Sequence, residues 1–599
     1  MGEGSVVRGG VKEALNIQQQ VGSAALNLHF REKPDRRLRF PRVMRTGYAS
    51  ATVKLMGAPI DARVKRLTLL ACILGSGIAL LDGTVVNVAL PTIQRALGGG
   101  LAAQQWVANG YLLTLGSLIL VGGSLGDLYG ERRVFALGVS GFGVASLAAA
   151  LAPSIGALVA ARAAQGVFGA LLVPSSLAVI VNTFPESERG KAIGSWTAWG
   201  AIFGVLGPLA GGELLAIASW RWIFLINVPL VIGCVSLILF AIPRSAPREA
   251  GARSVDYLGA VLCAAGLGGP VFALIEQPRL GWPSPAVFGP LVAGAALLGA
   301  FTLFESRARD PMLPLGLFRR RNFSAGNIET FAMYAGLAIL FFFLVLFLQQ
   351  IGGYSPLKSG LTMLPVTVIM FLLSRRFGAL ADRFGPRFFM GAGPLMGAVG
   401  LLLFQRVGLK VDYVSEVLPP LLVFSLGLSM TVAPLTAAVL AGAEKEAGIA
   451  SGVNNAIARV AGLLGTAAVG AAVASSFGSA LNQRLAGKAL GHAARAAVSQ
   501  AKKLPLGRPD VHGLPNVQAR VLTKAAEGAS LHSFHLGVAI AAALVAAGGL
   551  AGAFGIRNPR REVIRAESCA GGQLVGASSE IAQPVAGPRT SAQPTGSPA

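Results

Sequence analysis

Gly123-Ser-Leu-Gly-Asp127-Leu-Tyr-Gly130-Glu-Arg132-Arg133 recurs as Gly378-Ala-Leu-Ala-Asp382-Arg383-Phe-Gly385-Pro-Arg387. Each copy follows the second apolar stretch of a block: Gly123 lies 57 residues beyond Arg66, and Gly378 lies 55 beyond Phe323. The chain is therefore expected to contain two parallel copies of one six-helix unit. A charged turn between two helices would by itself need no further explanation. Its return at an equivalent position argues against chance and makes the two loops a matched pair.

Around these loops the sequence is apolar. Of 599 residues, 53% are hydrophobic and 13% charged, about half the roughly 25% charge of an ordinary soluble domain. Such a chain cannot solvate a globular surface, whereas a bilayer is an apolar solvent for outward helix faces. The 78 glycines suit helix contacts in lipid, where small residues let backbones approach. About 20 apolar residues in a helix cross the hydrocarbon layer, because every backbone polar group must be paired internally. Such segments are expected at 67–90, 104–124, 134–152, 157–182, 193–215, 222–242, 257–276, 286–305, 323–348, 361–382, 388–407, 418–440, 449–475 and 534–556, fourteen in all. The repeat aligns the first six with the last six. It leaves 66–242 as one bundle, 256–306 as two inserted helices and 323–556 as the second bundle.

The charge balance of 51 Lys plus Arg against 27 Asp plus Glu would, in a soluble protein, raise the question of nucleic acid. Here the basic residues sit between apolar runs, so no nucleic-acid partner is expected and the charge reads as topology. One set of short loops carries Arg132, Arg133, Arg189, Lys191, Arg244, Arg248, Arg253, Arg307, Arg309, Arg319, Arg320, Arg321, Arg383, Arg387 and Lys445. The alternate set carries Arg95, Arg279, Lys358, Arg406 and Lys410. The first set belongs in the cytoplasm, with both termini. Residues 1–65 read as a cytoplasmic tail with no apolar signal region, within which Met44 and Met56 are alternative starts. Residues 477–533 read as a long external loop and 557–599 as a disordered cytoplasmic tail. Cys72, Cys234, Cys263 and Cys569 form no CxxC pair, so neither a disulfide framework nor a metal site is expected.

From Arg66 to Arg557 the chain resembles the major facilitator superfamily, and within it the fourteen-helix drug:proton antiporter family. The repeated loops resemble the superfamily signature between its second and third helices. Leu81-Asp82-Gly-Thr84-Val-Val-Asn87-Val-Ala-Leu-Pro91 resembles the first-helix motif of the fourteen-helix branch. Arg162-Ala-Ala-Gln165-Gly166 resembles the helix-four motif, and Gly207-Pro208-Leu-Ala-Gly211-Gly212 the helix-five antiporter motif. Ser219 to Pro229 and Gln349 to Pro356 are also similar to that branch. One position departs from it: Phe203 stands where the helix-five pattern has another glycine.

Asp82 lies inside an apolar span, where an ionised carboxylate costs at least a few kcal/mol. It is expected either to take up a proton or to face a polar cavity. The plainer reading is a structural hydrogen bond to a neighbouring helix. Arg162 either snorkels outward or supplies a fixed charge beside a carboxylate, and the resemblance implies the second, with Gln165 and Gly166. Thr84, Asn87, Trp106, Tyr111, Gln165, Glu329, Asn454, Asn455 and Arg459 are candidates to line a substrate cavity, with Glu329 and Arg459 able to meet substrate or each other. Trp106 reads equally well as an interfacial anchor. Gly123, Asp127, Gly130, Arg133, Gly378, Asp382, Arg383, Gly385 and Arg387 form gating loops, whose charges can bond between bundles and break as the bundles rock. The small residues Gly200, Gly204, Gly207, Pro208, Gly211 and Gly212 by themselves mean close packing and a kink. The resemblance implies in addition a seal against ion leak.

The resemblance thus implies a multi-pass bacterial inner-membrane exporter that exchanges protons for small amphipathic drugs, dyes, antiseptics or antibiotics. It needs no cofactor, being driven by the proton gradient. Enzyme activity is not expected, because no nucleophile and base cluster, no metal ligands and no P-loop occur. Partners are the substrate, protons and lipid, and nothing in the residues argues for or against a periplasmic adaptor. A uniporter or importer of a nutrient on the same fold, and a non-transporting membrane sensor, are the rival readings.

Overall fold

The computed structural model describes residues 61–242, 255–441 and 447–558. Among these, fourteen helices are long and apolar enough to cross a membrane. The first bundle holds α1 (Ala62–Leu97), α2 (Leu101–Tyr129), α3 (Glu131–Ala150), α4 (Ile155–Thr183), α5 (Glu186–Ile217) and α6 (Trp222–Ala241). An inserted pair follows, α7 (Tyr257–Leu280) and α8 (Pro285–Glu305). The second bundle holds α9 (Arg321–Gln350), α10 (Pro356–Phe384), α11 (Pro386–Arg406), α12 (Tyr413–Ala441), α13 (Ala447–Leu485) and α14 (Asn516–Gly555).

Local chemistry sets the ends of these helices. Ser154 accepts from Ala157 N at the start of α4, and Asp256 from Gly259 N at the start of α7. Each satisfies one of the orphan first-turn donors. Asp412 does the same for α12, and the Ser415 side chain bonded to it holds its carboxyl below the usual carboxylate range. α2 turns into α3 through Gly130 alone, and α10 into α11 through Gly385 alone, with φ of 90° and 89°. Only glycine adopts that backbone without strain, so the repeated motif needs its glycine at the turn. Outward faces carry large apolar side chains such as Phe240, 91% exposed, as expected of helices solvated by lipid.

The duplication is visible in the packing. In the first bundle α2 lies on α4, α3 on α4, α1 on α6, and α3 on α6. In the second, α10 lies on α12, α11 on α12, α9 on α14, and α11 on α14. The bundles meet through α2 against α13, α5 against α10, and α1 against α9. α7 lies across α2 and α13, and α8 rests chiefly on α7.

The bundles are joined closely at one end, whereas toward the other α10 is largely exposed and α2 keeps a contact with α13, Leu120 lying against Gly452. At the arginine-poor end, Gln349 Nε2 donates to Val88 O at 2.9 Å and Gln105 Nε2 to Thr466 O at 2.6 Å. Gly212 of α5 meets Leu357 of α10, and Gly360 meets Pro208 O. At the arginine-rich end the later turns of α10, residues 367–384, bury only Ala381. There a cavity of about 290 Å³ is lined by α2, α4 and α13, by Asp256 just before α7, and by residues 310–312 between α8 and α9.

Three expectations are corrected. The external loop spans only residues 486–515, not 477–533. Phe477, Leu481 and Leu485 pack on Leu522, Ala526 and Ala529 and continue α13 and α14 as a helical stem. A ten-residue helix, His492–Ala501, caps this stem, and Lys503 O accepts from Leu101 N at 3.1 Å. The tail expected over 1–65 ends earlier, because α1 begins at Ala62; residues 1–60, with Met44 and Met56, lie outside the described residues. The tail expected from 557 begins later: Arg557 N donates to Asn322 Oδ1, and Asn558 Oδ1 accepts from Arg387 N. Residues 559–599, with Cys569, lie outside the described residues.

Candidate functional site

Asp82 sits in the middle of α1 and is wholly buried. Its Oδ2 is paired with Arg162 Nη1 of α4. Its Oδ1 accepts from Gln165 Nε2 at 3.1 Å and from Asn227 Nδ2 of α6 at 3.0 Å. Ser146 Oγ of α3 closes the group, meeting Gln165 Nε2 at 2.8 Å and Asn227 Nδ2 at 3.3 Å. Arg162 also donates from Nε to Val107 O at 3.1 Å and from Nη1 to Gln165 Oε1 at 2.8 Å. Its guanidinium lies 4.5 Å from the centre of the Tyr111 ring. Every acceptor on the Asp82 carboxylate is thus met by a donor, and the arginine's charge is met by an anion and a ring face. An ion pair taken out of water survives only when so completely bonded. Arg162 does not snorkel; it points into the bundle.

This network borders the contact between the bundles. A cavity of about 60 Å³ is lined by Gly83, Asn87, Tyr111 and Arg162 from the first bundle and by Phe341 and Thr466 from the second. It has room for a few waters. Arg162 is therefore shared: one side holds Asp82 and the other faces the interface. Any event that removes the charge of Asp82 leaves Arg162 with an unbalanced charge at that boundary.

The other predicted residues divide. Tyr111 is buried on the cavity wall, its hydroxyl donating to Ala79 O at 3.1 Å. Asn87 is half-buried on the same wall. Thr84 bonds back to Leu80 O and Leu81 O of its own helix and faces Gly207. Arg459 is half-buried on α13 against Gly116 of α2, on the inter-bundle face. Four other candidates do not line this small cavity. Trp106 Nε1 donates to Glu276 Oε1 at 3.1 Å and ties α2 to the inserted α7. Glu329 is wholly inside the second bundle against Gly548 and Gly552 of α14, where neither carboxyl oxygen has a partner among the described residues. No ion pair joins it to Arg459 among those residues. Asn454 bonds Asn327 Oδ1 and Thr330 Oγ1 of α9 at 3.1 and 2.7 Å. Asn455 is exposed and bonds its own helix.

The two gating motifs take equivalent places in the two bundles. Gly123 faces Pro174 of α4, and Gly378 faces Ala433 of α12, equivalent seats in the two bundles. Asp127, Arg133, Asp382 and Arg383 are exposed. Arg387 Nε donates to Ala553 O at the end of α14 at 2.6 Å. Arg132, which the sequence places in the motif and among the loop charges, donates in the same way from Nη2 to Leu239 O near the end of α6 at 2.9 Å. These guanidinium groups hold the C-terminal dipole of their own bundle's last helix and do not cross to the other bundle. On α5, Gly207 and Gly211 lie against Thr84 and Val85 of α1, whereas Gly212 lies against α10. Gly200 meets Leu80, but Gly204 has nothing within 4 Å. Phe203, the departure from the motif, seats its ring on Gly77.

Asn227 and Ser146 are the residues that sequence reasoning missed. An asparagine within an apolar span was a legible signal, as intramembrane polar groups seldom lack a partner. A single serine carried none.

Residues 72–466 match the Major Facilitator Superfamily. The chain belongs to that superfamily. It is 35% identical over 491 residues to the Tetracenomycin C resistance and export protein of Streptomyces glaucescens, covering 80% of this chain and 90% of that one. It is 38% identical over 399 residues to Puromycin resistance protein pur8 of Streptomyces alboniger, covering 65% and 78%. To the Methylenomycin A resistance protein of Bacillus subtilis it is 35% identical over 413 residues, covering 67% and 86%. Among solved structures, an inward-facing, unoccupied bacterial homologue of the human lysosomal transporter Spinster aligns with a TM-score of 0.56 at 15% identity, covering 83% of this chain and all of that one. That likeness concerns the fold alone. This member of the superfamily is a multi-pass bacterial membrane protein.

Proposed function

We propose that the chain exports small amphipathic drug-like or antibiotic compounds in exchange for protons, without a covalent step or a cofactor. The observation that carries the coupling is the buried Asp82–Arg162 pair at the wall of the inter-bundle cavity. The superfamily relatives named for resistance and export support the direction and the class of cargo. With the arginine-rich end taken as cytoplasmic, as the loop charges require, the structure is the state open to the cytoplasm and Asp82 is paired. When the bundles rock and the other end opens, a proton reaching Asp82 cancels its charge and frees Arg162 toward the cavity. An electrostatic seat that held substrate in one state then differs in the other, which is what an exchanger needs.

The test is transport into everted vesicles with wild type beside Asp82→Asn. The amide keeps the size and loses the titration. Cargo uptake should fall to the background of empty vesicles, and substrate-driven proton release should vanish. Uphill uptake by the variant at the parent's rate, with the parent's pH dependence, would sink the reading. Uptake that survives collapse of the proton gradient would instead favour a uniporter.

A further inference from the structure

The two bundles differ at a place where the repeat would have them match. Counted back from Gly123 and Gly378, Leu120 and Val121 of α2 correspond to Arg375 and Arg376 of α10. Leu120 lies against Gly452 of α13, and Val121 is buried in a cluster with Ala260 of α7, Phe301 of α8 and Met312. The inserted helices thus cover that face of the first bundle. Its counterpart on α10 is uncovered: Arg375 and Arg376 are exposed, as are Val368, Phe371 and Leu372 in the turns before them. Neither arginine has a hydrogen bond or an ion pair among the described residues, although Arg132, Arg321 and Arg387 at the same end are bonded to Leu239 O, Gly555 O and Ala553 O. Their depth sharpens the contrast. The charge that precedes them on α10 is Lys358, whose Nζ lies 3.9 Å from the centre of the Tyr354 ring at the arginine-poor end. The 16 uncharged residues between, 359–374, rise about 24 Å as helix, less than the roughly 30 Å of the hydrocarbon layer. With Lys358 at the outer surface, the two arginines therefore lie at the inner boundary of that layer or just within it. A guanidinium there keeps its charge and meets phosphate by extending its stem or by drawing a headgroup inward.

We propose that Arg375 and Arg376 bind the phosphate of an anionic phospholipid of the cytoplasmic leaflet, whose chains lie along Val368, Phe371 and Leu372 toward the bilayer centre. Guanidinium groups match phosphate through paired, charge-assisted hydrogen bonds. Two of them side by side favour a headgroup of net negative charge, since a zwitterionic one brings a cation to the same place. The apolar side chains add a contact that a free phosphate ion cannot make. The lipid does for this face of α10 what the inserted helices do for the matching face of α2. The inference concerns binding alone and does not depend on the export reading.

The experiment reads which lipid chain lies beside α10. Cys263 and Cys569 are replaced by alanine; Cys72 and Cys234 are buried and stay. Purified full-length protein with Leu372→Cys is labelled with monobromobimane and placed in phosphatidylcholine nanodiscs. A small fixed fraction of the lipid carries bromine on its chains, as phosphatidylglycerol or as phosphatidylcholine, and quenching of the label is measured. Brominated phosphatidylglycerol should quench as strongly as about five times its amount of brominated phosphatidylcholine, the enrichment that one charge contact gives. Arg375→Gln together with Arg376→Gln should bring the two lipids level, whereas the pair Arg375→Lys and Arg376→Lys should keep most of the preference. Sodium phosphate, compared with sodium chloride of equal ionic strength, should change nothing. Level quenching in the parent, a preference undiminished in the Gln pair, or its loss to phosphate alone would overturn the lipid site. Neither cargo nor a gradient enters the assay, so failure of the export reading leaves these ratios unchanged.

Discussion

Asp82 and Arg162 hold each other in a site that neither could occupy alone. Removing one partner of a buried pair leaves an uncompensated charge and costs about 3–5 kcal/mol. Asp82→Ala and Arg162→Ala should each lower the unfolding temperature of the purified protein in detergent. The double variant should lose clearly less than the sum, because no charge is then stranded; strict additivity would mean the pair is not coupled. Glu329 offers the opposite case. With neither oxygen bonded among the described residues and Gly552 of α14 beside it, the seat suits a neutral side chain. Glu329→Gln should therefore leave thermal stability within about 1 kcal/mol, while Glu329→Lys, which buries an unpaired charge, should prevent accumulation of folded protein. A destabilised Gln variant would show that the carboxyl has a partner. Both acids were legible in the sequence as charges within apolar spans. Their fates were not, because a span's composition says nothing of which face meets which helix. Asp82 found Arg162, Gln165 and Asn227 on three sides, and Glu329 found the small residues of α14.

At the scale of the helix, α5 shows how one run of small residues serves two contacts. Gly207 and Gly211 let α5 settle on α1, and Gly212 lets its end meet α10. A Cβ at Gly207 would meet Thr84 Oγ1 and the backbone oxygen of Leu81, which cannot withdraw. Gly207→Ala should cost about 1–3 kcal/mol by overpacking and lower transport with it. Gly204→Ala meets nothing within 4 Å and should be neutral, or stabilise by up to about 1 kcal/mol through helix propensity. Thermal unfolding of both variants checks the contrast, and equal effects would remove it. The spacing of these glycines was readable as close packing. Which of them faced a neighbour was not, since Gly204 shares the spacing and lacks the contact. The α13–α14 stem escaped notice for a related reason. Its alanines are too weakly apolar to register as a span, yet they suit a helix whose burial comes from the partner helix.

The two bundles repeat each other down to single contacts: Gly130 and Gly385 at the turns, Arg132 and Arg387 on the last helix of each half. The motif that revealed the duplication thus also stiffens each half as a unit, which rigid-body rocking requires. What joins the halves in this state lies at the arginine-poor end, where Thr466 Oγ1 of α13 donates to Asn109 Oδ1 of α2 at 3.0 Å. If that end must part once per cycle, tying it shut must stop the cycle. Asn109→Cys with Thr466→Cys, joined by a short thiol-specific crosslinker with a reducible bond, should abolish exchange in proteoliposomes and recover it on reduction. Binding of cargo from the arginine-rich side should persist throughout, because that side stays open. Each single cysteine variant, treated alike, should keep its untreated rate. Undiminished exchange in the fully crosslinked protein would mean that α2 and α13 never separate there. The route through the molecule would then have to open between α5 and α10, where Gly212 meets Leu357.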